Sequence, residues 1–170
     1  LVSKAKWIHV DHVGINRLSE LGISRGNGPL ISFDAGYGVE SFDPIVVDLF
    51  VPTDRQMALR YPGVDLAVAL ENDSLKAGNT VVATQGSAGS SGFSPETGLV
   101  TASGFKVDVK GTLGAGDVFH GALVAQIIHG YPLQESLRRA NAVAALSCLG
   151  LDAQSKIPTT TELDAYLEAH

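Results

Sequence analysis

Residues 111–123 read GTLGAGDVFHGAL, in which Gly111, Gly114 and Gly116 precede Asp117 and a helical run follows at once. Glycines let the backbone turn tightly and aim its N–H groups at a ligand. A helix start adds partial positive charge, so the combination suits an anion. Asp117 sets a second negative charge beside that anion. From these residues alone two readings stay open. Asp117 is a helix N-cap above a tight turn, or it acts on something next to a bound phosphate.

Working outward from this stretch, short apolar runs alternate with helical patterns, the signature of an α/β fold with a mostly parallel sheet. WIHVDHV (7–13) and LISFDAG (30–36) read as buried strands. Between them INRLSELGISRG carries Ile15, Leu18 and Leu21 at helical spacing, with Gly26 and Gly28 as the stop. DLFVPTDRQMALRYPG (48–63) predicts a short strand, a proline turn and a short helix. VDLAVALENDSLKAG predicts an amphipathic helix closed by Gly78, and TVVATQG (80–86) another buried strand. The segment 90–109 reads as a hairpin around Pro95–Gly98. Two helices follow the opening motif, separated by Gly130 and Pro132, and Thr159 with Glu162 forms a capping box for a last helix.

The chain has 170 residues, 45% of them hydrophobic, enough for one sizeable core and a single domain over 1–170. A net charge of −6 without any Lys/Arg run argues against nucleic-acid and membrane-surface partners. The lone Cys148, in an Ala-rich stretch, excludes a disulfide framework or cysteine zinc cluster within the chain. With no signal-peptide pattern in the first residues, the expected location is cytoplasmic.

Several chemistries fall away. There is no G-x-x-x-x-G-K-[ST], and no G-x-G-x-x-G opens a helix after a strand. QGSAG (85–89) misses the nucleophile elbow because Gln85 stands at its first glycine. His9 and His12 would face opposite sides of one strand, a poor arrangement for joint metal ligation. His120 and His129 receive no role. Asp11, His12 and Asp34 lie at predicted strand ends, where open α/β sheets bind ligands, but caps or loop carboxylates serve equally well as readings of the two acids.

Phosphoryl transfer needs little covalent chemistry from the protein; it needs positioning and stabilisation of charge. N–H groups of Gly114, Ala115 and Gly116 at a helix start meet that need, and a carboxylate beside them can accept a proton from an attacking hydroxyl. GTLGAGDVFHGAL resembles the C-terminal signature of the ribokinase-like sugar kinases, the PfkB family, usually D-T-x-G-A-G-D followed by Phe and a small-residue helix. TQGSAG (84–89) is similar to that family's T-x-G-x-x-G nucleotide turn, RRANAVAALSCLG (138–150) to its following helix, and KIP (156–158) loosely to its terminal segment. Together with FKVDV (105–109), the wording is most similar to kinases of ketose-type sugars such as sulfofructose kinase.

This resemblance implies a three-layer α/β/α ribokinase-like fold, seen as its C-terminal nucleotide-binding and catalytic portion without the N-terminal part and lid. It implies Asp117 as general base, Gly114, Ala115 and Gly116 as the anion hole, and Thr84, Gly86, Ser87 and Gly89 against the nucleotide phosphates and ribose. Asn141 falls near the adenine, and ATP with Mg²⁺ is the implied cofactor. The implied partner is a small sugar, with a homodimer or a missing N-terminal half to complete the site. Gly111 replaces the family's Asp, which puts a monovalent cation in doubt, and Thr53 and Gln56 stand where N-x-x-E should help organise Mg²⁺. A non-catalytic nucleotide-binding or truncated protein is the alternative, and nucleoside or hydroxymethylpyrimidine kinases are alternatives within the enzyme class.

Overall fold

The computed structural model describes residues 4–36, 41–152 and 154–170. The described residues form a mostly parallel six-stranded sheet and six α-helices. The strands follow chain order: β1 (Trp7–Val10), β2 (Leu30–Asp34), β3 (Leu49–Val51), β4 (Thr80–Thr84), β5 (Gly89–Ser94) and β6 (Gly98–Ser103). The helices are α1 (His12–Glu20), α2 (Asp54–Arg60), α3 (Leu66–Ala77), α4 (Ala115–Ile128), α5 (Leu133–Ser147) and α6 (Thr160–Ala169). The chain divides into two compact units, one running to Thr84 with Ser91–Val100 added, the other made of Gln85–Ser90 and Thr101–His170. No helix among the described residues is long and apolar enough to cross a membrane.

In the first unit β1 to β4 pair in parallel, with Phe33 opposite Phe50 and Phe50 opposite Val81. Ile31, Phe33, Phe50 and Val81 are buried, as the continuous apolar wording of these strands requires. Phe33, Phe42 and Phe50 stack, with centroids 4.2 Å apart for the first two and 5.4 Å for the last two. The two fully buried rings, Phe33 and Phe50, each contribute about 1.5–3 kcal/mol through burial. Below them, fully buried Asp73 accepts from Arg60 Nε at 2.7 Å and Tyr61 Oη at 2.6 Å. Burial first, and then Asp73, push the Tyr61 phenol up from its ordinary value.

Three boundaries differ from the sequence expectation, one being the hairpin over 90–109, whose second strand ends at Ser103. The first strand stops at Val10, because Asp11 is the N-cap of α1 and accepts from the N–H groups of Val13 (3.0 Å) and Gly14 (2.8 Å). Gly14 first, with Val13 and His12 adding to it, holds the Asp11 carboxyl below its ordinary value against some burial. His12 therefore begins a helix instead of sharing a strand with His9. That helix ends at Glu20, ahead of Gly22 at φ 70, not at Gly26 or Gly28. The expected close of α3 by Gly78, at φ 61, and the Thr159–Glu162 capping box of α6 are both present.

In the second unit α4, α5 and α6 pack around Ala142, Val143, Leu163 and Leu167, with Phe105, Val118, Ala122 and Tyr166 against them. Arg139 joins all three helices. Its guanidinium, on α5, donates to Gln126 Oε1 of α4 at 2.8 Å and Asp164 Oδ1 of α6 at 2.5 Å, and lies 4.7 Å over the Tyr131 ring.

Candidate functional site

The glycine stretch does what its composition calls for. Gly114 is the N-cap of α4 at φ 75, a left-handed conformation that a side chain would strain, and no side chain caps the helix. Ala115, Gly116 and Asp117 are the first three helical residues, so their N–H groups have no partner within the helix. Ala115 N–H already donates to Thr112 O at 3.2 Å, closing the turn. Gly116 and Asp117 are exposed. Asp117 is thus the third residue of α4 and not its cap, which removes the purely capping reading. Its carboxylate shares an open, donor-rich helix start.

The other glycine turn is built just as tightly. After β4, Gly86–Ala88 makes one 3₁₀ turn, held by Gln85 N–H to Gly89 O at 2.8 Å and Ala88 N–H to Gln85 O at 3.1 Å. Thr84, half-buried at the end of β4, donates its N–H to Pro52 O at 3.0 Å. Gly86 and Ser87 are exposed, whereas Gly89 is buried at φ 108. A side-chain carbon on Gly89 would stand 2.1 Å from Ala102 O and 2.5 Å from Gly104 N, so only glycine fits. Gly104 is its counterpart: its N–H donates to Ala88 O at 3.0 Å, and a carbon there would meet Ser87 O at 2.3 Å.

Asn141 joins this arrangement from α5. It is 6% exposed, and its amide nitrogen donates to Ala102 O at 2.9 Å and Ser103 O at 3.3 Å. Sequence reading singled out Asn141 and the 84–89 turn but missed Gly104. The signal was a second glycine directly after the hairpin's last strand.

At the carboxyl ends of the first unit's parallel strands, Thr53 and Gln56 form a reciprocal capping box on α2. Gln56 N–H donates to Thr53 Oγ1 at 3.2 Å and Thr53 N–H to Gln56 Oε1 at 2.7 Å. Gln56 Nε2 also donates to Ala35 O and, at 3.2 Å, to Gly36 O. Thr53 and Gln56 are committed to their own helix and to the backbone just after β2, and neither side chain carries a carboxylate for Mg²⁺. Half-buried Asp34 ends β2, and His9 on β1 is hydrogen-bonded to Ser32 Oγ at 2.8 Å. In the second unit, buried His120 and exposed His129 lie on α4, the latter with Nδ1 2.7 Å from Ala125 O.

Gly111 gives a similar result for a monovalent cation. Lys110 and Gly111 donate their N–H groups to Cys148 O at 2.8 and 3.2 Å. Gly150 O lies 3.0 Å from where a side chain on Gly111 would begin. Gly111 carries no carboxylate, and a side chain there would begin in tight backbone contact, so this position supplies no side-chain ligand to a cation.

Comparison with known proteins adds identity to this geometry. The family model described as pfkB family carbohydrate kinase matches residues 46–160. A ribokinase of Schizosaccharomyces pombe is 33% identical over 124 residues, covering 67% of this chain and 38% of that protein. A ribokinase structure from Thermotoga maritima superposes with a TM-score of 0.77 at 25% identity, over 98% of this chain and 58% of that one. A Burkholderia thailandensis nucleoside kinase in complex with inosine gives 0.76 at 21% identity, over 98% and 56%. The chain thus spans about two fifths of the length of the curated relative and under three fifths of the two solved ones.

Proposed function

The chain belongs to the pfkB family of carbohydrate kinases, and from that membership we propose that it transfers a phosphoryl group from ATP to a sugar hydroxyl. The observation that carries this reading is the start of α4, where an uncapped helix N-terminus and the exposed Asp117 stand together. The Asp117 carboxylate takes the proton of the acceptor hydroxyl. That oxygen bonds to the γ-phosphorus, the bond to the bridging oxygen breaks, and ADP leaves with the electron pair. The Gly114–Gly116 turn faces the transferred group, with the N–H groups of Gly116 and Asp117 at hand and that of Ala115 available on release from Thr112. Thr84, Gly86, Ser87 and Gly89 lie along the nucleotide phosphates and ribose, and Asn141 near the adenine. Thr53 and Gln56, engaged in their capping box, would not hold Mg²⁺, which would enter with the nucleotide and offset charge on its phosphates.

A non-catalytic nucleotide-binding role is the second reading, favoured by the engagement of Thr53 and Gln56 in a capping box. ADP release by the purified chain, measured against ketoses, aldoses and nucleosides, separates the two. Sugar-dependent release supports the kinase, and preference for a nucleoside moves the acceptor class. ATP binding without release for any acceptor, alone or in a self-associated form, favours the second reading.

A further inference from the structure

Asn141 has its amide nitrogen directed at the protein's own backbone. Both carbonyls it holds, those of Ala102 and Ser103, belong to the strand end against which the glycine turn is built. Ala102 O is the atom nearest the missing side chain of Gly89, and Gly104, two residues on, holds Ala88 O. A shift of the strand end by a fraction of an ångström therefore moves residues 86–89 with it, since at 2.1–2.6 Å from a would-be side chain there is no slack.

The same stretch of α5 reaches the other turn. Ala142 and Val143, the next two residues, are buried in the cluster that receives Val118 and Ala122 of α4. Val118 directly follows Asp117. Phe105, which directly follows Gly104, packs into that same cluster, its ring 5.5 Å from that of Tyr166. Residues 141–143 thus grip the floor of one turn through hydrogen bonds and the first turns of α4 through apolar packing.

We propose that Asn141 is a positioning residue: it fixes the 86–89 turn relative to the start of α4, so that one nucleotide meets both, and it contributes to affinity through the turn and not by touching the base. This inference rests on the nucleotide-binding reading of the two turns. It predicts a loss of affinity blind to the base, because what moves is the surface along the phosphates.

The test compares Asn141→Asp with the unaltered chain, binding ATP, GTP and inorganic tripolyphosphate by calorimetry, with amide hydrogen exchange followed on the same samples. The substitution is isosteric, removes both donors and sets a carboxylate oxygen against two carbonyls. The expected result is a loss of about tenfold or more for all three ligands, with faster exchange over 85–90 and 102–104 and unchanged protection in α6. Weaker binding of ATP alone, with GTP and tripolyphosphate unaffected and exchange at 85–90 unaltered, overturns the inference in favour of a base contact. If Asn141→Asp unfolds, Asn141→Ser, which keeps a small donor, is expected to give the same pattern at reduced size. If the unaltered chain binds none of the three ligands, the nucleotide reading fails. The exchange comparison then decides the positioning role separately, and unchanged exchange at 85–90 overturns it.

Discussion

Gly111 and Gly150 approach so closely that a side-chain carbon on Gly111 would stand 3.0 Å from Gly150 O, with Leu151 Cα and O at 3.3 Å. A side chain at the position where the family pattern sets a carboxylate would begin in tight contact with backbone. Gly111→Asp is therefore expected to destabilise the chain by about 1–3 kcal/mol, as overpacking does, in denaturant unfolding. Exchanging potassium for choline is expected to leave melting temperature and ATP affinity unchanged within error and twofold respectively. A strong potassium dependence of either would contradict this.

Asp117→Asn isolates the proposed base. It is expected to lower turnover by about 10²–10⁴-fold, the range for general base catalysis, while ATP affinity stays within a few-fold. Steady-state kinetics with the best acceptor, paired with ATP binding, checks both halves. Near wild-type turnover would remove Asp117 from the role.

Gly89→Ala meets both a positive φ of 108 and the carbonyl of Ala102. Backbone strain and overpacking each cost about 1–3 kcal/mol. Urea unfolding is expected to show a loss of about 3 kcal/mol, with poorer ATP binding in the folded fraction. Gly86→Ala, also at positive φ but with open space around it, should lose less.

Asp73 binds Arg60 and Tyr61 in a buried setting. Asp73→Ala leaves both without that acceptor and is expected to cost about 3–5 kcal/mol, as for other broken buried pairs. Chemical denaturation provides the measurement. A change below 1 kcal/mol would mean that Phe42 O, which accepts from Arg60 Nη1 at 2.7 Å, and water suffice for Arg60.

Glu162 supplies the pH prediction. The N–H of Thr159 first, and then its hydroxyl, hold the Glu162 carboxyl below its ordinary value of 4.5. A lowered folded-state value means stability that is fully present above about pH 4.5 and lost as pH falls through the folded value. Glu162→Gln should flatten that part of the acid limb while leaving stability near pH 7 slightly reduced. An unchanged slope below pH 4.5 would assign the acid limb to other carboxylates, such as Asp11 and Asp152, which their backbone N–H partners also hold low.

Much of the candidate site was legible in the sequence because its chemistry is local. The uncapped start of α4 follows from glycines standing within three residues of Asp117, and T-x-x-Q at 53–56 has the wording of the capping box it forms. Compared only with N-x-x-E, that segment read as a weakened metal motif. WIHVDHV was misread for a related reason. Its apolar run spans a strand and the first turn of a helix, and only the two N–H groups captured by Asp11 mark the break.

What the sequence by itself determined here is the family, the alternation of strands and helices, and those ends and turns whose partners lie within about four residues: Gly78, Pro95–Gly98, Thr159 with Glu162, and the Gly114 turn. Such features depend on φ preferences and on side chains reaching their own backbone, both properties of short segments. Only the tertiary structure decided that Asn141 faces Ala102, 39 residues away, that Gly89 and Gly104 each occupy a space with no room for a carbon, and that Arg60 finds Asp73. Those relationships arise when surfaces distant in the chain close to contact, and close packing then assigns each side chain a partner that no local pattern encodes.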